Sequence, residues 1–128
     1  MNNDEIKKRI LIVDDDEFLL EMYALKFKEE GFEVGIAKNG EEALATIKKD
    51  KNFDLVLLDI VMPSPDGFEV LAIIKKNALL PKTKIVALTN LGQKEDLEKG
   101  KGLGFDDYIV KARYTPSEVV AKIKSILG

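Results

Sequence analysis

The chain has 128 residues, of which 45% are hydrophobic and 34% charged, and its formal net charge is −3. This size and apolar content fit one domain over residues 1–128 with a core at about 9–127, and the lack of a basic excess argues against direct binding of nucleic acid. The sequence has no cysteine and no histidine, so disulfides, thiolate chemistry and the usual zinc sites are excluded and any bound metal is expected to prefer oxygen ligands.

Neither a signal peptide nor a membrane span is predicted. The first nine letters, MNNDEIKKR, contain no apolar stretch, and nowhere do about 18 apolar residues follow one another. We therefore expect a cytoplasmic protein without membrane insertion.

Five short apolar runs predict five β-strands. They read RILIV, FEVGIA, FDLVLL, KIVAL and DYIV, and they end at Val13, Ala37, Leu58, Leu88 and Val110. Most of these runs are apolar at consecutive positions, which is typical of strands buried on both faces of a parallel sheet.

Helical spacing predicts the segments between the strands. The first helix is expected to end before Gly31, the second to begin near Glu41, and the third to begin near Gly67 and end before Pro81. The last has Thr115 as its cap, with Pro116 and Glu118 completing the N-terminal signature. The inward-facing residues are predicted to be Leu20, Tyr23, Ala24 and Phe27; Ala43, Leu44 and Ile47; Phe68, Val70, Leu71 and Ile74; and Val119, Val120, Ile123, Ile126 and Leu127.

The fourth helix is predicted to be short and mobile, spanning about Gln93 to Gly100. Leu97 and Leu103 are the large apolar residues of its segment. Gly100 and Gly102 would each destabilise a helix by about 1 kcal/mol relative to alanine.

Alternating strands and helices predict a doubly wound α/β fold, with a five-stranded parallel sheet between helices on both faces. Right-handed crossovers place functional residues of such folds beyond the carboxyl ends of the strands. The candidate site is therefore expected at that edge.

The residues that follow the strands there are chemically distinctive. Asp14, Asp15 and Asp16 follow the first strand, Asp59 the third, Thr89 the fourth and Lys111 the fifth. Two carboxylates about 4 Å apart repel by roughly 4 kcal/mol at an effective dielectric near 20, so such crowding favours a place for a cation. The amine and the hydroxyl offer donors to an anion beside it.

Structural explanations also exist for several of these residues. Asp16 is best explained as the cap of the first helix, Thr89 alone as a strand end, and Lys111 alone as a solvated lysine. A cap needs one carboxylate, however, so Asp14 and Asp15 are not explained in that way. Asp59 lies between LVLL and IVMP, where a buried acid is unfavourable without a partner.

Two other site types fit this edge less well. A Rossmann or Walker loop needs glycines after the first strand so that backbone amides approach phosphate, whereas this chain has aspartates there. A phosphatase of the haloacid dehalogenase type has a second acid two residues after its nucleophile, and after Asp59 that position is Val61.

Four segments together give the chain a recognisable pattern. ILIVDDD, LVLLDIVMPSPDGFEVL, IVALTN and DDYIVKA occur in this order over about Ile10 to Leu127. With them the chain resembles the response regulator receiver domains of two-component signalling, the family of the chemotaxis regulator. The resemblance implies a flavodoxin-like sheet with strand order 2-1-3-4-5.

The resemblance also implies roles for individual residues. Asp59 would accept a phosphoryl group, and Asp14, Asp15, Asp59 and the backbone carbonyl of Val61 would hold Mg²⁺ or Mn²⁺. Lys111 would pair with Asp59 and then with the phosphoryl oxygens. The Thr89 hydroxyl would bind the phosphoryl group, and Tyr108 would turn inward as the switch on the face of helix 4, strand 5 and helix 5.

Some positions depart from the family pattern. Ala112 stands where relatives usually have proline, and a non-proline cis bond costs about 2.5 to 4 kcal/mol, so we predict a trans or strained bond after Lys111. Asn90 is larger than the residue usual after the threonine. Val61 and Leu91 are apolar where the family receives an attacking water, and this predicts slow self-dephosphorylation.

The expected partners follow from the same resemblance. A histidine kinase or phosphotransfer protein would supply the phosphoryl group and a downstream effector protein would receive the signal, with a phosphorylation-dependent dimer as one mode of output. The chain would catalyse only its own phosphorylation and dephosphorylation. It ends soon after its last helix, so it is expected to be free-standing or an excised part of a larger regulator. A phosphorylation-independent binding module and a Mg²⁺-dependent phosphohydrolase are the alternatives.

Overall fold

The computed structural model describes residues 7–128, and residues 1–6, where a signal peptide would begin, lie outside them. The described part has five strands, five α-helices and a 3₁₀ turn. In chain order they are β1 Arg9–Val13, α1 Glu17–Glu29, β2 Glu33–Ala37, α2 Gly40–Lys49, β3 Leu55–Leu58, α3 Gly67–Lys76, β4 Lys84–Thr89, α4 Lys94–Leu103, β5 Asp107–Val110, the 3₁₀ turn Lys111–Arg113 and α5 Pro116–Leu127. No helix among these combines the length and apolar character needed to cross a membrane.

The strands form one parallel sheet in the order β2-β1-β3-β4-β5. This confirms the predicted doubly wound α/β fold and its strand order. The strands end where predicted, except that β4 includes Thr89 as its last residue, and β2 and β3 begin at Glu33 and Leu55, inside the predicted apolar runs.

Alternating strand residues point to opposite faces of the sheet and belong to two separate hydrophobic cores, one on each face. In β1, Ile10 and Ile12 face the core covered by α1 and α5, while Leu11 and Val13 face the core under α2 and α3. Helix α4 packs against α3 and β5. Both faces of the sheet are therefore covered, and the polar residues that follow the strands lie at its edge.

The predicted helix ends are confirmed by local hydrogen bonds. The Leu19 amide donates to the Asp16 side chain, so Asp16 caps α1. Gly31 has φ of 90°, the left-handed conformation predicted beyond the end of α1. Thr115 and Glu118 form the predicted capping box of α5.

The prediction of a short fourth helix was wrong. Helix α4 runs from Lys94 to Leu103 and continues through Gly100 and Gly102. Gly100 is buried, and a Cβ on it would lie 3.1 Å from the Tyr108 ring. The helix therefore gains close packing at a position where propensity alone predicted its end.

Candidate functional site

Strand register brings the sequence-predicted residues to one edge of the sheet. Val13 of β1 is paired with Leu58 of β3, so Asp14 and Asp59 come next on neighbouring strands. The backbone amide of Asp59 donates to the Val13 carbonyl over 2.9 Å, which fixes the two segments against each other.

The register of β4 and β5 brings the amine of Lys111 to the same edge as Asp59. Thr89 at the end of β4 is paired with Val110 of β5, and Lys111 follows immediately in the 3₁₀ turn. The side chains of Asp14, Asp59 and Lys111 thereby converge from three strand ends.

Lys111 forms ion pairs with two acids in this pocket. Its Nζ lies 2.7 Å from Oδ2 of Asp14 and 3.1 Å from Oδ2 of Asp59. It donates a hydrogen bond to Asp59, and its shorter contact with Asp14 is an ion pair. The Lys111 side chain is 9% exposed, and those of Asp14 and Asp59 are 1% and 6% exposed, so these charges interact with little solvent screening.

The three acids predicted to hold a metal lie together. Each of Asp14, Asp15 and Asp59 offers a carboxylate oxygen, and these oxygens lie within 4.8 Å of one another. Asp14 and Asp59 are buried, whereas Asp15 is exposed at the mouth. The cluster thus combines two fixed carboxylates with a third that solvent can reach.

The pKa values follow from this crowding. Burial raises the pKa of Asp59 and the charge of Asp14 adds to this shift, while the ammonium of Lys111 opposes both. Burial works against the charge on Lys111, but its close pairing with Asp14 and Asp59 raises its pKa nonetheless. Lys111 therefore stays protonated, and Asp59 is the carboxyl whose ionisation the pocket disfavours.

The donor set fits a hard divalent cation. Carboxylate oxygens are the ligands that Mg²⁺ and Mn²⁺ prefer, and this pocket offers three carboxylates against one ammonium. Because Oδ2 of Asp14 and Oδ2 of Asp59 share the one ammonium of Lys111, the carboxylates keep an excess of negative charge that a further cation would stabilise. The acidic cluster is therefore compatible with Mg²⁺.

Val61 lies in the loop after Asp59. Its amide donates to Oδ1 of Asp59 over 3.2 Å, which turns the loop back towards the carboxylate. Its side chain is 56% exposed. On the opposite side of the pocket, Asn90 is exposed and Leu91 partly buried.

Thr89 and Tyr108 lie on the β4 and β5 side. Thr89 is fully buried, and its hydroxyl favours the ionised form of Asp59, so it lies next to that carboxyl. The Leu91 amide approaches the Thr89 hydroxyl at 3.5 Å, the long local contact expected of a strand end.

The Tyr108 ring is partly buried beneath α4. It packs edge-on against Phe105 with ring centroids 6.4 Å apart, and its hydroxyl oxygen is buried without a hydrogen-bond partner. Burial, followed by the negative charges of Asp96 and Asp59, raises the pKa of Tyr108 to about 12. The Tyr108 hydroxyl is thus shielded from water and lies near enough to the site to be affected by the charge of Asp59.

The peptide bond after Lys111 is trans, as predicted. Among the described residues the cis peptide bond is Ser64–Pro65. Lys111 reaches both acids although Ala112 replaces the usual proline.

Tyr23 is a residue near the site that helical spacing predicted only as part of the buried face of α1. It is 3% exposed. Burial raises its pKa, Lys111 opposes the shift, and Asp14 adds to it, so its phenol lies within the field of the site. The feature of the sequence that could have indicated this proximity is the position of Tyr23 in α1, the helix that begins directly after the three aspartates.

Comparison with known proteins agrees with this geometry. A family model described as the response regulator receiver domain matches residues 10–124. The transcriptional regulatory protein ResD of Bacillus subtilis is 37% identical over 119 residues, which cover 93% of this chain and 48% of that protein. The DNA-binding response regulator MtrA of Mycobacterium tuberculosis is 36% identical over 124 residues, covering 97% of this chain and 52% of that protein. The chain thus spans about half the length of these curated relatives.

Solved structures show the same architecture. The chemotaxis protein CheY4 of Vibrio cholerae superimposes with a TM-score of 0.86 at 28% identity, covering 94% of this chain and 99% of that one. A CheY-like receiver domain of Methanospirillum hungatei gives 0.85 at 37% identity, with coverages of 95% and 94%. Since the family match, the strand order and the acidic cluster all agree, this chain belongs to the response regulator receiver domains.

Proposed function

We propose that this chain is a phosphorylatable receiver that accepts a phosphoryl group on Asp59. The observation that carries the proposal is the buried convergence of Asp14, Asp59 and Lys111, in which one ammonium nitrogen lies within 3.1 Å of both acids. A purely structural ion pair needs one acid. A second buried acid beside it fits a pocket that binds additional positive charge.

The chemistry is a phosphoryl transfer in which one bond to phosphorus replaces another. A carboxylate oxygen of Asp59 forms the new bond, and the bond from phosphorus to the donor breaks, with its electron pair leaving on the donor. The donor is a phosphohistidine of a kinase or phosphotransfer protein, or a small acyl phosphate.

Asp14, Asp15, Asp59 and the Val61 carbonyl would hold the divalent cation. Bound there, Mg²⁺ or Mn²⁺ supplies positive charge that offsets repulsion between the Asp59 carboxylate and the phosphoryl oxygens. Lys111 supplies a second, permanent positive charge to the same pocket. Its short contact with Asp14 keeps the ammonium directed into the pocket when Asp59 is modified.

Signal output depends on the β4 and β5 side of the pocket. The Thr89 hydroxyl would donate to a phosphoryl oxygen, and Tyr108 would follow Thr89 inward, biasing the face of α4, β5 and α5. A downstream effector protein would read this face, with dimerisation on phosphorylation as one form of output. We also propose that the protein acts in the cytoplasm.

The test is incubation with acetyl phosphate and Mg²⁺, followed by intact mass and mapping of the modified residue. We expect one phosphoryl group per chain, located on Asp59 and absent from Asp59→Asn. The matched control is Asp16→Asn, which removes a neighbouring acid while keeping a residue able to cap α1. Modification elsewhere, or none with wild-type protein, would contradict the proposal.

A second measurement separates the alternatives. Beryllofluoride with Mg²⁺ should shift amide resonances around Thr89 and Tyr108 in wild-type protein and leave Asp59→Asn unchanged. An unresponsive wild-type protein would indicate a phosphorylation-independent binding module. Sustained turnover of an aryl phosphate beyond one equivalent per chain would indicate a phosphohydrolase.

A further inference from the structure

The loop between β3 and α3 is held against the first residue of α2. A Cβ built on Gly40 would overlap the carbonyl oxygen of Pro65, and it would lie 2.8 Å from Cγ of Pro65 and 2.9 Å from Cγ2 of Val70. Gly40 is buried and begins α2, with Asn39 as the cap. Its backbone does not have the positive φ that excludes side chains, so space, rather than conformation, requires glycine here.

Helix α2, which carries Gly40, is fixed in place by the residues that it buries. Ala43 and Ile47 of α2 are fully buried, and the Glu42 amide donates to the Asn39 side chain over 2.8 Å. Helix α2 therefore cannot move away from Pro65 without disturbing the core.

The ends of the loop are equally fixed. The Gly67 amide donates to the Ile60 carbonyl over 3.0 Å, and Val70 of α3 is fully buried. At the other end, the Asp59 amide is bonded to the Val13 carbonyl within the sheet. A displacement of Pro65 is therefore taken up within residues 61–66, the segment that includes the Val61 carbonyl, or it strains the hydrogen bond from the Met62 amide to the Ile60 carbonyl (3.1 Å), which holds the same peptide unit.

We propose that Gly40 is a positioning residue for the cation site, acting through Pro65 on the loop that carries Val61. This inference rests on the proposed function, because it concerns the affinity of that site for a divalent cation. The atoms nearest to an added Cβ on Gly40 belong to Pro65 and Val70, not to the acids. It allows the close approach that fixes where the loop carbonyl lies.

The test is Mg²⁺ and Mn²⁺ affinity of wild type and Gly40→Ala, measured by titration calorimetry together with amide NMR of Val61. We expect Gly40→Ala to weaken binding by about tenfold, the lower end of the effect of residues that orient metal ligands. The metal-free Val61 amide resonance should also shift. The matched control is Gly102→Ala, at a helical glycine where an added Cβ would have nothing within 4 Å, and this variant should bind as wild type does.

A coupled variant distinguishes positioning from general destabilisation. Pro65→Gly removes the ring and frees the loop backbone, so it should weaken cation binding by itself. Added to Pro65→Gly, Gly40→Ala should then have much less than its full effect, whereas independent damage would be additive.

The outcomes separate the two proposals. If wild-type protein binds neither cation, the proposed function fails. If wild type binds and folded Gly40→Ala binds equally well, only the positioning role is overturned. Should Gly40→Ala not fold, unchanged affinity in Pro65→Gly would overturn it instead.

Discussion

The ammonium nitrogen of Lys111 lies 2.7 Å from Oδ2 of Asp14, and both side chains are almost completely shielded from water. This contact lies beside the pairing with Asp59, so one amine balances two buried acids. Its removal would leave two like charges with little solvent to screen them.

Lys111→Met is therefore expected to reduce the free energy of unfolding by about 3 kcal/mol in the absence of divalent cations. Urea denaturation at neutral pH measures this. The matched control is Lys94→Met, because the Lys94 side chain is 86% exposed and its ion pair spans 3.9 Å. That variant should change stability by about 0.5 kcal/mol or less. Equal effects of the two variants would contradict the idea that the buried amine compensates the acids.

Asp59→Asn is expected to stabilise the metal-free protein at pH 7. Burial and Asp14 raise the pKa of Asp59, so the folded state holds its proton more tightly than the unfolded state does. The free energy of unfolding of wild-type protein consequently falls as pH rises from 3.8, the ordinary pKa, through the raised pKa of folded Asp59. Asp59→Asn avoids that loss. The difference should disappear below pH 3.8, the ordinary value, where the unfolded carboxyl is also protonated. Free energies of unfolding in urea across this pH range test it, and a variant less stable than wild type at pH 7 would refute it.

Mg²⁺ is expected to raise the melting temperature of wild-type protein. When free Mg²⁺ is about 100-fold above its dissociation constant, binding to the folded state alone contributes about 2.7 kcal/mol. Asp15→Asn should lose most of this response, since Asp15 is an exposed member of the acid cluster. Asp16→Asn makes the same charge change one residue later and should keep the response. A melting temperature independent of Mg²⁺ would count against the metal site.

Val61→Asn is expected to shorten the lifetime of the phosphorylated protein several-fold. The Val61 side chain is exposed beside Asp59, and an amide there would hydrogen-bond an attacking water that valine cannot hold. Loss of the phosphorylated mass after removal of acetyl phosphate measures the rate. Leu25→Asn, at a residue of α1 with a similar exposed fraction of 58%, is the control. A wild-type lifetime of only seconds would contradict the predicted slow hydrolysis.

Tyr108→Phe is expected to raise the free energy of unfolding by about 1 kcal/mol, because it removes a buried hydroxyl that lacks a partner. The ultraviolet titration of wild type should contain an ionisation at about 12 that the variant lacks. Tyr114→Phe is the control and should retain that ionisation. A destabilised Tyr108→Phe would imply that the hydroxyl has a hydrogen-bond partner in solution.

Much of this architecture could be predicted because it depends on local patterns. Consecutive apolar residues identified the strands, since both faces of the sheet are covered, and Thr115 with Glu118 identified the start of α5. The convergence of Asp59 and Lys111 followed from the general location of sites in parallel sheets.

Features that depend on contacts between distant segments were not predictable in the same way. Gly100 of α4 lies against the Tyr108 ring, where an added Cβ would be only 3.1 Å away, and no local pattern encodes that contact. Gly40 directly precedes the predicted start of α2 near Glu41, and nothing in its local sequence indicates that its lack of a side chain accommodates Pro65. Tyr23 has the spacing of a core residue, and only the fold reveals that its phenol lies near Lys111.

Helix α4 is attached to the molecule by very little apolar burial. Of its residues, all of which the structure describes, Gly100 alone is buried, whereas α1 buries four, including Phe27. The free energy needed to open a segment scales with the apolar contacts it surrenders, so α4 should exchange its amide hydrogens faster than the other helices. Because α4 is weakly anchored beside Tyr108, a small change in free energy is enough to shift it between conformations. The charge-assisted hydrogen bonds of one added phosphoryl group provide a change of that size.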